Sequence, residues 1–143
     1  MNEKVSTTSP QRSVGRQLLI AVYAVFAVAA GARSAVQIAT EFSQAPVAYL
    51  LSAFAAVVYL IATAALRWEG RRAFRIALTA ILIEAVGVVG VGLLTVLDDG
   101  LFPDATVWSE FGAGYGYVPL LLPFIGLWWL WRRERPAPES ATG

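Results

Sequence analysis

Arg33 and Glu84 are the side chains whose placement could do chemistry, because each sits inside a long apolar run rather than at its edge. In hydrocarbon a lone charge is costly, so such groups pair with one another or line an ion, proton or substrate path. Counted from Leu18 and Ala73, the first residues of their runs, Arg33 lies about 22 Å and Glu84 about 16 Å along a helix rising 1.5 Å per residue. The offset is close to one helical turn, within the reach of an arginine stem. The spacing therefore predicts an Arg33–Glu84 ion pair between the first and third helices. Gln37 follows Arg33 by four residues on the same face. Tyr59 belongs to a stripe of Tyr49, Ser52, Ala56, Tyr59 and Thr63, stepping by three and four toward a bundle interior. Arg33, Gln37, Tyr59 and Glu84 form the candidate intramembrane polar cluster, which could either fix helix register or line a path. On the third run Ala77, Ala80, Glu84 and Gly87 make a small-residue stripe of the kind that lets helix backbones approach closely.

Other chemistries are excluded or weak. The sequence contains no cysteine and no histidine, which removes disulfides, thiolate and imidazole metal sites, His-ligated haem and every Ser-His or Cys-His nucleophile pair. Gly112, Gly114 and Gly116 lack the spacing and the preceding strand of a dinucleotide-binding loop. Asp98, Asp99, Asp104 and Glu110 lack the ordered spacing of an EF-hand and read as a solvated acidic loop. No catalytic, cofactor-binding or metal-binding residue is assigned, and no enzyme is expected.

The elements that position the polar cluster follow from composition. At 57% hydrophobic and 15% charged residues, the 143-residue chain is far more apolar than a soluble domain. The expected fold is an all-α membrane protein, a four-helix transmembrane bundle with helices at about 18–39, 47–66, 73–97 and 112–131. Each of the first three has the 20 or so residues that a bilayer requires. Residues 1–17 and 136–143 are polar and read as disordered cytoplasmic tails flanking a domain over 18–135. The fourth helix is the short one. Val118 to Trp131 covers only about 21 Å, so either its start lies nearer Phe111 or it is joined by irregular, protein-covered backbone, an irregularity that Pro119 and Pro123 support, with a kink expected at Pro123. Trp108, Tyr115 and Tyr117 read as an interfacial aromatic belt, and so do Trp128, Trp129 and Trp131 at the far end.

Charge sets the orientation. Of the eleven Lys and Arg residues, ten fall in three groups: Lys4, Arg12 and Arg16; Arg67, Arg71, Arg72 and Arg75; Arg132, Arg133 and Arg135. The intervening loops hold Glu41, Asp98, Asp99, Asp104 and Glu110 instead. Short basic loops stay cytoplasmic, so the sequence predicts four crossings of the plasma membrane with both termini inside. A rival reading takes the first apolar run, with Ala30, Gly31 and Ala32, as a secretory signal with an A-x-A cleavage site. The apolar pattern continues past that point through Val36 and Ile38, which favours a span.

The stretch YAVFAVAAGARSAVQIATEFSQAPVAYLLSAFAAVVYLIATAAL from Tyr23 to Leu66, with FGAGYGYVPLLLPFIGLWWL, resembles uncharacterised small integral membrane proteins of actinobacteria. That resemblance implies an actinobacterial plasma membrane and no particular activity. The plan of four short helices with an arginine in the first is also similar to DoxX-type proteins. The partners expected are the lipid bilayer and either a membrane-protein partner or further copies of the chain; nucleic acid is not among them. The function expected is a non-catalytic accessory, scaffold or assembly subunit of a membrane complex. The alternative is a small oligomeric transporter or channel with an Arg33/Glu84 polar path.

Overall fold

The computed structural model describes residues 10–134; residues 1–9 of the expected N-terminal tail, Arg135 and the whole expected C-terminal tail, 136–143, lie outside the described residues. Among the described residues the elements are helices α1 (Pro10–Glu41), α2 (Pro46–Arg67) and α3 (Arg71–Leu97), a 3₁₀ segment (Ser109–Tyr115) and α4 (Val118–Glu134). α1 packs on α2 and α2 on α3, while the 3₁₀ segment and α4 both pack on α3.

α1 corrects the first boundary. It begins at Pro10, not Leu18, so residues 10–17 are helical rather than part of a tail. Proline suits a helix's first turn, and Gln11, Arg12, Arg16 and Gln17 are all good helix formers. The 32-residue helix is about 48 Å long, more than a hydrocarbon core of about 30 Å needs. Its first turns reach the end of α2, where the carbonyls of the last turn have no partner inside their own helix. Arg16 supplies one: its Nε donates to the Leu66 carbonyl at 2.9 Å and its Nη2 to the Arg67 carbonyl at 2.8 Å.

α2 starts on Pro46 and buries Tyr49, Ser52, Ala56 and Tyr59, the stripe expected from its spacing; Thr63 is half-buried and bonds back to the Tyr59 carbonyl. α3 buries Ala73, Ala77, Ala80, Glu84, Val88, Gly92 and Thr95, spaced by three and four along one face. The opposite faces carry exposed Val25, Val28, Val36, Leu60, Val86 and Leu93. A chain with so much outward apolar surface is matched to lipid rather than water.

Three helices, Val14–Glu41, Pro46–Arg67 and Arg71–Leu97, are long and apolar enough to cross a membrane. A fourth crossing exists only if the 3₁₀ segment and α4 count together, and these meet at a bend of 100°. Of the two expectations for the fourth run, a continuous helix over 112–131 is not formed; a short helix joined to irregular backbone is. Glu110, Phe111 and Gly112 have φ of 51°, 60° and 81°, a left-handed turn that no right-handed helix can run through. Tyr117, at φ 61°, makes the second break. The sharp change of direction thus falls ahead of Pro123, which lies inside α4.

Candidate functional site

The polar residues of the interior come from four elements. Tyr23 of α1, Tyr59 of α2 and Glu84 of α3 are each 0% exposed, and Trp108, from the loop after α3, is 1% exposed. The Tyr23 hydroxyl donates to Glu84 Oε2 at 2.6 Å, a short, charge-assisted geometry when the carboxyl is ionised. The Trp108 indole N–H donates to the Tyr59 hydroxyl at 2.8 Å. The rings of Tyr23 and Tyr59 lie 6.2 Å apart, and Trp108 meets Tyr59 edge-on at 6.5 Å. Phe26 links Tyr59 to Tyr115 at 5.7 Å from each. Glu84 Oε1 is fully buried and has no hydrogen-bond partner among the described residues.

Trp108 closes this core because α3 leaves room for it. A Cβ on Gly87 would stand 2.5 Å from the indole ring, and Gly92 is likewise filled by the Phe111 ring. The loop is stitched to the helices beneath by two backbone donors: Val107 N–H bonds Ser52 Oγ of α2 at 3.2 Å, and Glu110 N–H bonds Thr95 Oγ1 of α3 at 2.7 Å. Within the loop, Trp108 N–H bonds Thr106 Oγ1 at 3.1 Å. These bonds pair buried amide donors that would otherwise be costly.

The four residues expected to cluster are divided between two places. Tyr59 and Glu84 are in the core, while Arg33 is exposed and donates to the Tyr115 hydroxyl at 3.2 Å. Gln37 is half-buried and donates to Asp104 Oδ2 at 3.4 Å, an oxygen that also accepts from Tyr49 at 3.0 Å. The expected Arg33–Glu84 ion pair is not formed; the ion pair present among the described residues joins Arg16 to Glu69 at 3.4 Å. The expected pair presupposes that Leu18 and Ala73 lie level, and they do not. It is Tyr23 that stands level with Glu84, and Arg33 is ten residues further along α1, about 15 Å beyond and turned to another face.

Two members of the core have no such role in the sequence reading. Tyr23, the first phenol of the chain, belongs to none of the stripes or clusters read from spacing. Trp108 was read as part of an interfacial belt, yet it is buried, and of that belt only Tyr117 is exposed, with Tyr115 half-buried. Chemically, the core offers a carboxyl–phenol pair and a phenol–indole pair. Among the described residues no group of His, Cys, Asp or Glu could hold a metal ion.

Comparison with known proteins yields no match, whether to a family model, a curated protein or a solved structure.

Proposed function

We propose that this chain is a plasma-membrane protein, crossing four times with both termini inside, that serves as a non-catalytic accessory or scaffold subunit of a membrane complex. The observation that carries this reading is that the polar core is closed while the clefts open outward. Glu84, Tyr59 and Tyr23 are sealed beneath Trp108. By contrast, a cleft of about 420 Å³ lies on the outer side of α1 and α2, lined by Ala27, Gly31, Ser34, Ala35, Ala53 and Ala56 among others. Small residues at such a surface let another helix approach closely. Extraction in mild detergent and affinity purification of the tagged chain should recover a second membrane polypeptide, or a defined oligomer, in fixed stoichiometry. Recovery of a lone monomer would refute the scaffold role.

One observation favours the alternative, an oligomeric transporter or channel. Glu84 Oε1 is buried and has no hydrogen-bond partner among the described residues, and an unsatisfied ionisable group inside a membrane protein is a mark of ion or substrate handling. Liposome flux assays decide between the two. Flux by the native chain that Glu84→Gln abolishes would support the path, and no flux above empty liposomes would remove it.

A further inference from the structure

At the arginine-rich end, α1 and α2 part to leave an open cleft of about 500 Å³ lined by Arg16, Gln17, Ile20, Ala21, Arg67 and Glu69. Its two arginines are differently placed. Arg16 is fixed by the Leu66 and Arg67 carbonyls, so its charge is held against the cleft wall. Arg67 is exposed, and its guanidinium donates to no group among the described residues. Glu69 stands at the rim with its side chain 76% exposed, touching Arg16 only at 3.4 Å. Ile20 and Ala21 add an apolar part to the lining. The same end carries Arg71, Arg72, Arg75, Arg132 and Arg133, against which the described residues set only Glu69 and Glu134. Exposed Trp68, Trp128 and Trp131 lie at this end too, as indoles do at headgroup depth.

We propose that this cleft binds an anionic phospholipid, with Arg67 closing on the phosphate, Arg16 as the fixed cationic wall, and the upper acyl chain lying on Ile20 and Ala21. The planar fork of a guanidinium suits two phosphate oxygens at once. A free phosphate would satisfy the arginines but leave the apolar lining wet, whereas a lipid covers both. The sorting of charge that orients a membrane protein needs arginines only on the correct side. It requires neither a guanidinium pinned beside an open cleft nor a second one that donates to nothing among the described residues. The inference rests on the membrane reading above and is independent of the choice between scaffold and path.

Native mass spectrometry of the full-length chain in detergent, titrated with phosphatidylglycerol or phosphatidylcholine, tests it. Phosphatidylglycerol should be retained in preference, with one high-affinity lipid per chain. Arg67→Gln should weaken that retention about tenfold. Arg75→Gln removes the same charge from a different cleft, one shared with Val58, Ile61 and Ile76, and should cost less than about threefold. Glu69→Gln should strengthen retention by up to about fivefold, the worth of one charge near a lipid headgroup. Equal losses in R67Q and R75Q would overturn the proposal in favour of diffuse attraction. Displacement of the lipid by millimolar inorganic phosphate would overturn the lipid as ligand. Should R67Q misfold, the exposed Glu69→Gln still decides, because unchanged or weaker retention contradicts a phosphate in this cleft. A chain that fractionates with membranes yet holds phosphatidylglycerol no better than phosphatidylcholine refutes the site alone and leaves the membrane reading standing.

Discussion

Among the described residues Glu84 has one donor, Tyr23, and one bare oxygen, so its buried carboxyl is satisfied through a single 2.6 Å contact. Removing the phenol oxygen leaves the carboxyl with no partner at all, and an orphaned buried polar group costs about 1–3 kcal/mol, more when charged. Tyr23→Phe is therefore expected to destabilise the purified protein by at least that much, read as a loss of thermal or denaturant midpoint in detergent. The pairing itself is tested by combining substitutions. Tyr23→Phe and Glu84→Gln should depart from additivity by about 0.5–3 kcal/mol, as contacting residues do. Arg33→Ala and Glu84→Gln should add within about 0.5 kcal/mol, because Arg33 bonds Tyr115 instead. The reverse outcome, coupling to Arg33 and none to Tyr23, would restore the ion pair that spacing predicted.

At the scale of elements, the plug formed by the loop after α3 depends on two notches. Gly87→Leu would place a side chain where the Trp108 ring sits, and neither can yield without opening the core. The expected result is a loss of several kcal/mol, comparable with the ~3–5 kcal/mol of emptying a buried tryptophan site. Exposure of Trp108 should follow, read as a red shift in fluorescence when the other four tryptophans are replaced by phenylalanine. An unshifted spectrum in Gly87→Leu would mean that the ring does not use that notch. This element also marks the limit of what sequence reveals. The three long helices were legible because their apolar length and small-residue spacing depend only on the helical repeat, and the stripes through Tyr59 and Glu84 came with them. Helix ends were less so. The apolar run begins at Leu18 but the helix begins at Pro10, since polar residues such as Arg16 and Gln17 are good helix formers and hydropathy marks only the apolar part of a helix. That shift removed the common starting level on which the Arg33 pairing depended. The plug was illegible because Trp108 and Gly87 are 21 residues apart, and nothing local joins an indole in an acidic loop to a glycine in an apolar run. Glu110 and Phe111, non-glycine residues at positive φ, carry no signal of that conformation in their side chains.

For the whole molecule, the distribution of charge and the plugged loop together make a prediction that neither makes alone. The arginine-rich end holds Arg67, Arg71 and Arg72, and the other end holds Asp98, Asp99 and Asp104. If the basic end is the cytoplasmic one, a single cysteine at Asp99 should react with an impermeant maleimide in intact cells, whereas one at Arg71 should react only after permeabilisation. The native chain has no cysteine, so each variant carries one reporter and no background. Labelling at Arg71 with protection at Asp99 would invert the orientation. Reaction at both would mean that α3 does not cross, whereas a bent 3₁₀–α4 pair that re-entered the membrane and left by the same side would leave both reporters unchanged and put Arg133 on the Asp99 side. A third reporter separates topology from burial. Trp108 shares the loop with Asp99 but is 1% exposed, so a cysteine introduced nearby at buried Val107 should stay unlabelled in native cells and react once the fold is disrupted by denaturant. Rapid labelling at both Asp99 and Val107 would mean that the loop lies open on the membrane surface, and the sealed core on which the scaffold reading depends would then be exposed to solvent.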